Sequence, residues 1–195
     1  MRTEPEIGAD FGGLNEWPLD HVVKALCFCH PSDDPAIWAD QEQTVLRLFI
    51  AARRNRLEFL LELIPSKVGP VDDDTTPALI QRFYDLGVYP DWWKLEPFKT
   101  ADAWAKVAAT ITANDPHTRG IVVLGLDAPA DELAASFALA AQQPLVKGFA
   151  VGRTIFGDAA RAWMTGAMDD KAAVDQMATR YAALCAVWDK NRGLI

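Results

Sequence analysis

Three ionisable residues stand inside short apolar runs: Lys24 in "HVVKALCF" (21–28), Glu62 in "EFLLELI" (58–64) and Lys94 in "DWWKLE" (91–96). On a strand, side chains alternate between faces. Lys24 then shares a face with Val22, Leu26 and Phe28, Glu62 with Leu60 and Ile64, and Lys94 with Trp92 and Glu96. One such residue is ordinarily a snorkelling or ion-paired side chain. Three on neighbouring strands gather charge where an unpaired charge is expensive. The chemistry this cluster suits is Schiff-base formation. An amine attacks a ketone only when neutral, far from its usual pKa of about 10.4. Desolvation by Trp92 and Trp93 and repulsion from Lys24 are the features expected to favour the neutral Lys94 amine. Glu62 is placed to shuttle protons during carbinolamine formation and dehydration.

A second signal lies in "GFAVGRTIFGD", where Gly152 and Arg153 end an apolar run just before a helix-like segment. Glycine lets backbone N–H groups approach an anion, and arginine offers a bidentate fork. Gly125 in "VVLGLDAP" could give another close backbone approach. These three form a candidate phosphate site, with a helix-capping or ion-paired arginine as the alternative. His30, at the end of the first run, and Glu96, two residues after Lys94, are possible substrate contacts. A turn histidine before "PSDDP" is the other reading of His30. "VDDD" (71–74) reads as a solvated acidic turn rather than a metal site, and no metal is expected.

These residues need elements to position them. Five strand-like runs (21–28, 58–64, 91–96, 120–126 and 146–152) are each followed by Pro, Gly or polar residues and a helical pattern. The helical patterns cover 35–54, 76–87, 100–111 and 130–142, then a pair at 158–165 and 171–190. In the second, Thr76 is the expected cap and Pro77 the first helical residue. The runs begin 37, 33, 29 and 26 residues apart, the spacing of repeated βα units around a parallel sheet. Five units are too few for the closed eight-stranded barrel of about 250 residues. An open doubly wound sheet also fits the number; the site chemistry favours the barrel type. Residues 1–17 are poorly patterned and read as an arm or a remnant of a preceding βα unit, with the partial barrel over 18–195.

Composition narrows the partners. The 195 residues carry a net charge of −8, which argues against a nucleic-acid or anionic-membrane surface. No apolar run approaches the ~20 residues of a membrane span, and the N-terminus lacks a signal-type segment. Cys27, Cys29 and Cys185 lack a framework spacing. The "CFC" pair is expected to alternate faces and so share neither disulfide nor metal. Reduced thiols and a cytoplasmic location are the expectation.

The stretches "EWPLDHVVKALCFCHPSDDP", "PDWWKLEP", "GIVVLGLDAP" and "GFAVGRTIFGDAARAW" resemble the aldolase-like DUF2090 domain of bacterial myo-inositol catabolism proteins. That domain is commonly fused behind a sugar kinase of the 5-dehydro-2-deoxygluconokinase type. It is similar to class I tagatose-bisphosphate aldolases, which are (β/α)8 barrels. The resemblance implies that the five runs are strands four to eight. It places Lys94 on the Schiff-base lysine, Glu62 on the strand-five glutamate, Lys24 on the strand-four lysine, and Gly152–Arg153 on the phosphate-binding end of strand eight. It implies cofactor-free retro-aldol cleavage of 2-deoxy-5-keto-gluconate 6-phosphate to dihydroxyacetone phosphate and malonate semialdehyde. Strands one to three of the pattern, with their acidic residues, have no counterpart. The expected partners are therefore a phosphorylated keto sugar acid and either a second copy, a missing N-terminal half or a kinase module. The alternative reading is a catalytically incomplete barrel that serves as a structural or regulatory partner of the kinase.

Overall fold

Strand and helix alternate along the chain: β1 (Val22–Cys27), α1 (Pro35–Arg54), β2 (Glu58–Leu63), α2 (Thr75–Asp85), β3 (Trp92–Leu95), α3 (Ala101–Asn114), β4 (Gly120–Leu124), α4 (Ala130–Ala140), β5 (Val146–Ala150), α5 (Arg153–Met164) and α6 (Asp170–Arg192). The computed structural model describes residues 7–8, 10–126 and 128–194. All five strands are parallel, in the order β1-β2-β3-β4-β5. A doubly wound sheet reverses its strand order at a switch point. This one never does, so it is an arc of a (β/α) barrel, and among the described residues each of its two outer strands pairs on one side only.

Alternation fixes the two faces. Val23, Ala25, Cys27, Phe59, Leu61, Leu63, Trp93, Leu95, Ile121 and Val123 point to the helix layer and are at most 3% exposed. At about 25 cal/mol per Å2 of buried apolar surface, burying this layer stabilises the fold. The opposite face carries Val22, Lys24, Leu60, Glu62, Trp92 and Lys94, and it is less covered: Val22 is 39% exposed. β5 needs an adjustment to join this scheme. Ile121 pairs with Val146, yet Val122 pairs with Gly148, so Lys147 is the extra residue of a bulge. The bulge lets Val146 and Phe149, three apart, both face the helices, where Phe149 meets Phe137 of α4 and Trp188 of α6.

Helix starts follow local capping. Asp34 accepts from the Ala36 N–H, Thr100 from Ala103 and Asp169 from Ala172. Two starts differ from expectation. α2 begins at Thr75, so Thr76 lies inside it; the Thr75 N–H and hydroxyl both donate to Asp72 instead. That bond, with Asp74 paired to Lys106 and Asp73 accepting from Thr100, accounts for the "VDDD" run. α5 begins at Arg153, five residues ahead of the expected 158, with Gly152 as its N-cap.

Two further expectations change. Cys27 and Cys29 do not alternate: two residues apart, they share one side, and both are buried and free. The Cys27 side chain, followed by burial, pushes the Cys29 thiol upward. Part of the 1–17 segment, read as an arm or a remnant of a preceding βα unit, packs into the core. Phe11 and Leu14 are buried, and the Arg47 guanidinium lies 5.4 Å from the Phe11 ring. Residues 1–6 and 9 lie outside the described residues.

Candidate active site

Strand register does the positioning. Glu62 stands directly opposite Lys94, and Leu26 opposite Glu62, which leaves Lys24 one diagonal step away. The Glu62 carboxylate joins both amines: Oε2 accepts from Lys24 Nζ at 2.8 Å, and Oε1 lies 3.0 Å from Lys94 Nζ. The three are not equivalent. The Lys24 side chain is 47% exposed, Lys94 18% and Glu62 7%, so Lys94 is the amine held out of water. Only one tryptophan shares its face. Trp92 does, donating its own Nε1–H to Glu58 at 2.8 Å. Trp93 points the other way into the helix layer, so the expected shielding of Lys94 by both rings is corrected to one. The nearby carboxylate is also within reach to take a proton from the Lys94 amine.

Lys94 and Glu62 line a cavity of about 360 Å3, and Gly125, Gly152 and Arg153 line it too. The strand ends therefore bring together the two groups of residues that lie far apart in sequence. Lys24 belongs to the charge cluster but not to the cavity wall. α5 is a 12-residue helix rising from the last strand, and α6 takes the place against Phe149 on the outside of β5. A short extra helix after the final strand is where (β/α) barrels frequently hold phosphate. The glycines have steric reasons: a Cβ on Gly125 would sit 2.9 Å from Val151, and one on Gly152 3.0 Å from the Phe156 ring.

Sequence reasoning missed seven lining residues, Ile64, Leu126, Thr154 and Phe156 among them. Leu126 has φ of 50°, a left-handed conformation unusual for leucine. Thr154 donates its hydroxyl to the Ala128 carbonyl at 3.0 Å, tying the start of α5 to the β4–α4 loop. Phe156 lies one turn into α5, so "GRTIF" carried the signal once the helix was allowed to start at Arg153.

Neither possible substrate contact lines this cavity. His30 is a strut: its ring nitrogens meet the Ser32 hydroxyl at 2.7 Å and the Pro70 carbonyl at 2.9 Å. The ring thus joins the loops after β1 and β2. Glu96 is buried on the Lys94 side of the strand end, with Ser66 donating both its N–H and its hydroxyl. Burial is the main influence and pushes the Glu96 carboxyl above the ordinary glutamate range; the Ser66 donors and Lys67 oppose it. The folded state thus binds this proton more tightly than the unfolded chain. Its contribution is complete below the ordinary pKa of about 4.3 and is lost as pH rises through the raised value. Glu96→Gln is expected to remove that dependence, so melting temperatures from pH 4 to 8 should show the variant gaining on the parent as pH rises. Parallel curves would refute it.

Among solved structures, fructose-bisphosphate aldolase from Plasmodium falciparum, in complex with TRAP and a small-molecule inhibitor, superposes with a TM-score of 0.59 at 14% identity. The match covers 88% of this chain and 55% of that one. Cgl0159 from Corynebacterium glutamicum matches at 0.49 and 21% identity, over 82% of this chain and 49% of that one. The chain thus spans about half the length of the structures it matches. No curated protein matches it. The family model for DUF2090, described as an uncharacterized protein conserved in bacteria, matches residues 3–192. With nearly the whole chain so covered, the protein belongs to the DUF2090 family.

Proposed function

We propose that this chain carries the catalytic face of a class I aldolase whose substrate is a phosphorylated keto sugar acid. The observation behind the reading is one cavity holding a shielded amine, Lys94, within 3.0 Å of a buried carboxylate, with Gly125, Gly152 and Arg153 in its lining. The likeness in fold to the Plasmodium falciparum aldolase is consistent with this. The substrate that suits it is 2-deoxy-5-keto-gluconate 6-phosphate. Its phosphate would rest at Gly152 and Arg153, and its C5 ketone would meet Lys94. Glu62 would take a proton from the amine and return it as the carbinolamine loses water. Once the iminium has formed, a base removes the C3 hydroxyl proton and the C3–C4 bond breaks. The electron pair moves into the iminium, malonate semialdehyde leaves, and protonation at C4 followed by hydrolysis frees dihydroxyacetone phosphate.

The half-covered sheet face and the one-sided pairing of β1 and β5 favour a second reading. In it the chain is an incomplete barrel that works through a partner, either further βα units or a sugar kinase module. One experiment separates the two. Borohydride reduction in the presence of dihydroxyacetone phosphate, read by peptide mass spectrometry, is expected to leave an adduct on Lys94. Folded protein without that adduct would move the second reading ahead.

A further inference from the structure

α6 runs for 23 residues, yet only Ala173, Leu184 and Trp188 along it are buried. Arg180, Ala183 and Val187 turn to a cleft that Ala134 of α4 and Gly157 of α5 also line. Roughly opposite them, at about 100° per residue, lies an apolar stripe of Val174, Ala178, Tyr181 and Cys185, one face of the helix. Val174 is 63% exposed, and Tyr181 reaches the core through Phe149 while leaving 53% of its surface in solvent. An apolar stripe on a helix ordinarily packs against something. The two ends of this one differ in charge. Lys171 precedes it and Asp189 follows it, about five helical turns apart, so both project in one direction. Lys171 bonds Asp175 of its own helix, but both side chains are exposed, and so open a pair is weak and exchanges readily.

A second α6, turned end for end about a point between Ala178 and Tyr181, matches this pattern. Val174 then lies across from Cys185 of the copy, Ala178 from its Tyr181, and Lys171 beside its Asp189. Apolar meets apolar, the small alanine receives the large ring, and cation meets anion. The same contacts recur in the other half, which is the self-complementarity of a two-fold interface. Opposed helix dipoles favour the same direction. An unrelated helix could cover the stripe, but it would not account for opposite charges mirrored about the centre.

We propose that two copies of this chain associate through α6, antiparallel and two-fold symmetric, with Lys171 of each facing Asp189 of the other. No residue of α6 lines the cavity of Lys94 and Glu62, so the inference stands apart from the Schiff-base reading.

The test is sedimentation velocity of the full chain over a concentration series at low salt. A monomer–dimer equilibrium is expected. Tyr181→Arg should weaken the dimer roughly tenfold or more, as loss of a central aromatic anchor does. Lys171→Asp and Asp189→Lys should each weaken it several-fold through like charges brought face to face. The double variant should regain the parent's affinity, because each copy then offers the exchanged pair to the other. Circular dichroism checks folding; if Tyr181→Arg does not fold, the charge exchange alone decides. Lys94→Ala should associate like the parent, so a failed aldolase reading leaves this result unaffected. A chain that stays monomeric at every concentration would overturn the proposal. So would a dimer indifferent to Tyr181→Arg, or a double variant that associates no better than the single ones.

Discussion

Lys94→Ala is expected to eliminate the borohydride-trapped adduct and to lower retro-aldol turnover on the order of 10^4-fold or more, the scale seen when a covalent catalyst is removed. The argument rests on what each neighbour can and cannot replace. Lys24 is the other amine on Glu62, but it is 47% exposed and stands outside the cavity wall. Lys94→Arg should be as inactive as the alanine variant, because a guanidinium keeps the charge without a nucleophilic lone pair. Stability should separate catalysis from structure. Removing one partner of a buried pair is ordinarily severe, since it strands a charge. Here Glu62 keeps Lys24 at 2.8 Å, so the melting temperature should fall only slightly. Steady-state assays of dihydroxyacetone phosphate release, paired with melting curves, check both statements. Turnover within tenfold of the parent would remove Lys94 from the mechanism.

The largest stability effect is expected one residue away. Trp93 is wholly buried on the helix side of β3, its Nε1–H donates to the Tyr84 hydroxyl at 3.0 Å, and the two rings meet edge-on at 5.5 Å. Trp93→Ala should cost about 3–5 kcal/mol through lost burial and the cavity left behind. That is a large share of the roughly 5–15 kcal/mol typical of a folded domain. Trp93→Phe retains a ring but leaves the buried Tyr84 hydroxyl without its donor, and should cost about 1–3 kcal/mol. Urea denaturation of the three proteins measures both values. A loss under 1.5 kcal/mol in the alanine variant, roughly half the least expected for such a truncation, would show that this part of the core is not tightly packed. Adjacent residues on one strand thus divide the labour, Trp93 anchoring β3 and Lys94 facing the cavity.

Much of this was legible in the sequence because strand alternation is strict. Lys24, Glu62 and Lys94 share the less covered face as their periods required, and each of the five runs is a strand. Strand order within a parallel sheet is not written in alternation. The strictly sequential order, which turned an open-sheet alternative into a barrel arc, needed the pairings themselves. Other departures came from contacts distant in sequence. His30 is occupied by Pro70, forty residues on, which no local pattern announces. α5 starts at Arg153 because Gly152 caps it, a position where glycine signals a turn and a helix start equally well. The bulge at Lys147 is likewise invisible to periodicity, although Val146 and Phe149 could not both face the helices without it.

Neighbours in this sheet are also neighbours in the chain, and successive strands begin between 26 and 36 residues apart. Every pairing can therefore form with a short loop closed, which lowers the entropic barrier to each step. During synthesis at about 5–20 residues per second, one unit emerges every few seconds and finds its partner already waiting. Lys94 can meet Glu62 as soon as β3 docks on β2. Gly152 and Arg153 arrive only after β5, the last of these five strands to be made. A nascent chain would hold its amine and carboxylate paired well before it could hold an anion, so the pocket is finished from its reactive end toward its binding end.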